Sequence, residues 1–225
     1  MDEIKSLKTN INPPKKAATT TFFIVFYLVG IAGMLLPYSS DFFLKLIPIA
    51  LVLSFVGLAI FDQSELNKKT IGSLLAIYIL SFSVEAIGVN TGLIFGSYEY
   101  GNNLGLKISN TPLIIGLNWV FLIYCTATIY EDFKLSTVLK VVLASFTMLL
   151  YDIVLEQMAP VLGMWQWQND IIPFQNYLAW FALALIFHSL LKILKIRFSN
   201  KIALTILSCQ FLFFLILFVS FKIMN

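Results

Sequence analysis

Charge is scarce in this chain. Asp, Glu, Lys and Arg make up 12% of its 225 residues, about half the share of a water-soluble domain, which excludes an ordinary soluble fold. Histidine is scarcer still: His188 stands alone. One imidazole cannot supply the many ligands of a di-iron membrane oxygenase or desaturase. The two cysteines, Cys125 and Cys209, both lie inside apolar runs. That placement argues against a disulfide framework and offers no paired metal-ligand spacing. No basic patch is interleaved with aromatics in a polar domain, so nucleic acid is not an expected partner. Internal repeats and low-complexity tracts are absent, and one domain is expected.

What the chain has instead is grease. Hydrophobic residues make up 59% of it, Phe alone occurs 21 times, and mean hydropathy is +0.88. Seven apolar runs, near 21–37, 42–60, 71–89, 111–130, 137–155, 176–196 and 202–221, approach the roughly 20 residues that a membrane-crossing helix needs. Pro48 interrupts the start of the second, between Asp41, Lys45 and the rest of the run. Residues 1–20 are polar, and Pro13-Pro14 bars a continuous helix there. That segment is expected to be a cytoplasmic tail, with residues 21–225 forming one transmembrane domain. The first run lacks a small-residue cleavage pattern and is expected to be retained as a span.

Basic residues orient the spans. With the amino terminus inside, the tail and inner loops hold twelve of them: Lys5, Lys8, Lys15, Lys16, Lys68, Lys69, Lys134, Lys140, Lys192, Lys195, Arg197 and Lys201. Three, Lys45, Lys107 and Lys222, fall on the other side. This bias satisfies the positive-inside rule. The expected architecture is all-α: a polytopic transmembrane helical bundle of about seven spans, amino terminus cytoplasmic, in the cell membrane and surrounded by lipid bilayer.

That topology gathers an unusual set of polar residues near one leaflet. Glu85 lies about one turn from the outer end of the third span, followed by Gly88 and Gly92 and then Tyr98 and Tyr100. Intramembrane acids are functional by default. The glycines and tyrosines read equally well as packing notches and an interfacial aromatic belt. Asn118 and Trp119 fall two turns into the fourth span. Asn118 can hold a neighbouring carboxyl group or make a plain interhelical hydrogen bond. Asp152 and Glu156 share one face of the fifth helix. Two acids so close in an apolar setting are not expected to both ionise, unless solvent simply wets them at the interface. Trp165 and Trp167 share one face of an extended segment. Asn176 and Trp180, four apart, open the sixth span, with His188 two turns deeper, where a packing role is the plainer reading.

The ordered set Gly88-Val-Asn-Thr-Gly92, Phe95-Gly-x-Tyr98-x-Tyr100, Pro112 to Asn118-Trp119, Asp152 to Glu156, Trp165-x-Trp167 and Pro173-x-x-Asn176-Tyr-x-x-Trp180 resembles the carotenoid biosynthesis protein family of integral-membrane carotenoid hydratases. The chain departs from that pattern at Glu156-Gln157, at Asn169-Asp170-Ile171 and at Ala179. The resemblance implies a carbon-oxygen lyase that needs no cofactor or metal. It would add water across the terminal C=C bond of an acyclic end group, in lycopene, gamma-carotene or a related carotenoid. Other carotenoid-pathway enzymes would be its neighbours.

On that reading Asp152 first, or Glu85, protonates the alkene. Faces of Trp165, Trp167 and Tyr98 stabilise the cation, and Glu156 or Asn118 holds the attacking water. Tyr100, Trp119, Asn176 and Trp180 complete the substrate-binding set. A rival from another class is a small proton- or cation-coupled transporter, which calls for polar residues in both leaflets. A retinal-binding photoreceptor would need a lysine well inside the last span; Lys201 and Lys222 only bracket it.

Overall fold

The computed structural model describes residues 16–224. Its helices are α1 (Lys16–Leu35), α2 (Ser40–Leu44), α3 (Ile47–Phe61), α4 (Lys68–Thr91), α5 (Ile114–Glu131), α6 (Thr137–Met158), α7 (Phe174–Ile193) and α8 (Ala203–Met224). Four short strands accompany them: β1 (Tyr98–Tyr100), β2 (Lys107–Ile108), β3 (Thr111–Pro112) and β4 (Trp165–Trp167). All-α is the right class, and the strands form two small ribbons at one end, β1 with β4 and β2 with β3. Among the described residues six helices, α1 and α4 to α8, are long and apolar enough to cross a membrane.

Two expectations need correction. Helix α1 already begins at Lys16, inside the expected tail; residues 1–15 lie outside those described. The second apolar run is not one span, because it breaks into α2 and α3 around Lys45-Leu46. Proline lacks a backbone N–H and fits the first turn of a helix, and Pro48 sits in that turn of α3. The 15 residues of α3 reach roughly 22 Å, short of a hydrocarbon core of about 30 Å. Its far end is tied down: the Tyr124 hydroxyl donates to Asp62 Oδ1 at 2.8 Å, and Asn200 Nδ2 donates to Leu58 O at 2.8 Å.

Helix α5 is the axis. Every residue from Trp119 to Ala127 is buried, so its whole circumference is covered by other helices. Helix α1, by contrast, exposes Phe22, Val25, Leu28 and Val29, the apolar face that a lipid-facing helix needs. Several polar groups inside the bundle are paired, as buried ones generally are. Tyr27 and Ser54 meet at 2.8 Å, and His188 bonds to Thr126 Oγ1 at 2.8 Å and to the Ala184 carbonyl at 2.7 Å.

Local signals set the helix ends that matter for the site. Asn67 caps α4, accepting from the Thr70 N–H at 2.9 Å, and Ser136 caps α6 in the same way. At the other end of α4, Gly92 adopts φ +68° and its N–H returns to Gly88 O. This is the left-handed stop that glycine supplies without strain. It turns the chain back so that residues 93–100 pass over the end of the helix carrying Glu85. Gly88 is a packing notch: an added Cβ there would lie 2.5 Å from the Phe95 ring.

Candidate active site

The ends of α4 and α6 each present a carboxylate inward, and the β1–β4 ribbon lies over both. The strands pair antiparallel, with Tyr98 opposite Trp167, Glu99 opposite Gln166 and Tyr100 opposite Trp165. Side chains alternate along a strand. Both tyrosines and both tryptophans therefore face the bundle, while Glu99 and Gln166 are exposed. Opposed rings touch across the ribbon, with centroids 4.9 Å apart for Tyr98–Trp167 and 6.0 Å for Tyr100–Trp165.

Each strand serves one acid. The hydroxyls of Tyr98 and Tyr100 donate to Glu85 Oε2 at 2.8 and 2.9 Å, and Trp119 Nε1 donates to Oε1 at 2.8 Å. Trp165 and Trp167 donate through Nε1 to Glu156 Oε2 at 3.0 and 2.7 Å, and Asn176 Nδ2 reaches Oε1 at 3.0 Å. Burial, reinforced by Glu85, pushes both phenols far above their ordinary range, so they stay protonated donors. All six partners are neutral. Hydrogen bonds to a charged acceptor contribute about 1.5–3 kcal/mol each, enough to fix both carboxylates in place.

Between the acids is a small chamber of about 20 Å³, whose wall includes Glu85, Glu156, Asn118, Trp167 and Trp180. That is room for about one water. Beside it opens an almost wholly apolar cavity of about 310 Å³, walled by α1, α3, α5, α6 and α8. The two spaces share Ile115, Asn118 and Trp165 as walls.

Not every expected residue faces the chamber. Asp152 is fully buried behind it, reached by Asn176 Nδ2 at 3.4 Å, and its Oδ1 has no hydrogen-bond partner. Trp119, expected to touch substrate, has no exposed surface; it stacks on Trp180 at 4.2 Å and acts on Glu85 from behind. Asn118 lines both spaces but makes no hydrogen bond to a carboxyl group among the described residues. Sequence reasoning missed the pairing of Tyr-x-Tyr with Trp-x-Trp, although both show the same period of two. It also missed Gln210, the one amide side chain in the last apolar run. Among the described residues no three His, Cys, Asp or Glu side chains gather as a metal site would need.

The profile of the family described as "Carotenoid biosynthesis protein" matches residues 45–225. A bisanhydrobacterioruberin hydratase of Haloarcula japonica is 26% identical over a stretch covering 48% of this chain. The chain spans 40% of the length of that relative. No solved structure matches the chain.

Proposed function

The chain belongs to the carotenoid biosynthesis protein family, and from that premise we propose that it adds water across the terminal C=C bond of an acyclic carotenoid end group. One observation carries this reading: a water-sized chamber with a glutamate on two of its walls shares Ile115, Asn118 and Trp165 with an apolar cavity of about 310 Å³. The polyene lies in the apolar cavity with its terminal alkene against the Ile115 and Trp165 wall that the two spaces share, and the chamber keeps the attacking water.

One proton resides on the Asp152–Glu156 pair: both acids are buried among neutral partners with no cation bonded to either among the described residues, which disfavours two charges side by side. Glu156, the member that faces the chamber, passes that proton to the less substituted alkene carbon. The π electrons form the new C–H bond and leave a tertiary carbocation. The faces of Trp165, Trp167 and Tyr98 stabilise that charge. A water held by Asn118 and Glu85 attacks the cation and gives up its proton to Glu85. The sum is alkene plus water giving a tertiary alcohol. The second proton returns to the Asp152–Glu156 pair through solvent. The carboxylates are oriented before the substrate arrives, so little reorganisation accompanies the charge that develops.

Incubation with lycopene in heavy-oxygen water tests this. The product should gain the mass of one labelled water. An unlabelled hydroxyl, or lycopene and gamma-carotene both returned unchanged, would overturn the assignment.

A further inference from the structure

The apolar cavity of about 310 Å³ is smaller than the polyene it serves. A cavity of roughly 150 Å³ takes one benzene ring, so this one takes on the order of a dozen carbons. That is enough for the end group of lycopene and a short length of chain, and the rest must leave through a wall. Toward the outer loops the cavity is shut by Leu104, Met164 and Trp165, all buried. Toward α6 and α8 it is shut by Tyr151, Phe213 and Phe214, buried as well.

The wall made by α1 and α3 is different. Val29 of α1 lines the cavity and is 53% exposed. On α3, Ile47 and Pro48 line the cavity half-buried, beside the exposed Ile49. Two ties bracket this stretch. On one side the Tyr27 hydroxyl meets Ser54 Oγ at 2.8 Å, and Phe23 packs on Gly57, where an added Cβ would lie 2.5 Å from its ring. On the other, the Phe43 ring of α2 rests on Gly33 so closely that a Cβ has no room.

Between the ties, the register set by Tyr27 and Ser54 puts Gly30 level with Leu51, next to Ala50. All three line the cavity. No hydrogen bond joins α1 to α3 there among the described residues. The stretch of α1 from Tyr27 to Gly33 rises roughly 9 Å. Carbons in contact stand about 4 Å apart, which leaves axial room for one hydrocarbon chain.

We infer that the α1–α3 seam between these ties is where a hydrocarbon chain crosses from the bilayer into the cavity. The reacting end group lies inside, and the remainder of the polyene stays in lipid. This rests on reading the cavity as the polyene site. Gly30 and Ala50 keep the seam passable by offering little side chain, and Phe43, seated on Gly33, forms its rim.

The test uses the full-length protein in nanodiscs. All four tryptophans are buried around the carboxylate site, and Trp165 also faces the cavity. In phosphatidylcholine brominated at mid-chain, acyl chains that enter the seam should quench Trp165. Squalene, colourless and unbrominated, should displace them and restore that part of the fluorescence; Trp165→Phe should remove the restored part. A second arm compares hydration of lycopene with that of citronellene, a short terpene that fits wholly inside. Ala50→Phe, which fills the seam, should lower lycopene hydration about tenfold and change citronellene hydration by less than about twofold. Ile49→Phe, an aromatic ring one residue away on the lipid side, should change neither.

Quenching that squalene does not relieve in the unmodified protein overturns the inference, and that measurement needs no variant to fold. Equal loss of lycopene and citronellene hydration in Ala50→Phe overturns it too, by showing a cavity filled where a seam should have closed. Squalene-relieved quenching that Ala50→Phe abolishes and Ile49→Phe keeps, without hydration of either compound, would leave the inference standing and retire the hydratase reading. Hydration of lycopene by Ala50→Phe at the unmodified rate would do the reverse.

Discussion

Acids sit at both ends of this bundle, and their partners differ in kind. At the end rich in lysine, Glu131 is met by Lys192 and by Arg197 Nε at 3.4 Å. At the other end Glu85 and Glu156 are each held by three neutral donors, drawn from tyrosine, tryptophan and asparagine side chains. A cation beside a carboxylate fixes its charge along with its position. A phenol or indole fixes position alone and leaves the proton count free to change. The first arrangement suits a structural tie and the second suits proton transfer.

The widest separation between the two ends should come from removing an acid while keeping its shape. Glu156→Gln and Glu85→Gln should each lower hydration by roughly 10²–10⁴-fold, and each should also lower the melting temperature, because the amide nitrogen cannot accept from the donors that one carboxylate oxygen now serves. The double variant should be little worse than either, because residues that act as a unit do not add. Additive losses would mean two independent contributions. Asp152→Asn should cost less than either glutamate change, since Asp152 stands outside the chamber. A loss equal to that of Glu156→Gln would move the transferred proton onto Asp152.

Smaller again is Trp167→Phe, which keeps an aromatic face and deletes one N–H. Losing a hydrogen bond to a charged acceptor, about 1.5–3 kcal/mol, should lower kcat about ten- to hundredfold with KM nearly unchanged. A change confined to KM would make Trp167 a binding surface only. The smallest effect belongs to the basic end: Glu131→Gln should lower stability by about 1 kcal/mol and leave hydration intact. Loss of hydration there would erase the distinction between the ends.

Much of this was legible in one dimension. Apolar runs located the spans because a bilayer demands them, and helical spacing put Asp152 and Glu156 on one face. Alternation put Trp165 and Trp167 on one side of a strand. What stayed hidden depended on contacts far apart in the chain. Nothing local says that Tyr98 pairs with Trp167, or that Trp119 turns its N–H to Glu85 while Trp180 stacks beneath it. The break between α2 and α3 carried a signal in Pro48, but where that proline falls relative to the helix start decides between a kink and a new first turn.

The ribbon over the two acids closes through bare backbone. Gly101 N–H donates to Met164 O at 2.8 Å, and a Cβ on Gly101 would fall 2.1 Å from the carbonyl oxygen of Gly163. A single methyl group at that position is therefore a wedge. It would force apart the strands that carry Tyr98 and Tyr100 on one side and Trp165 and Trp167 on the other, loosening both glutamates together from a place neither of them touches.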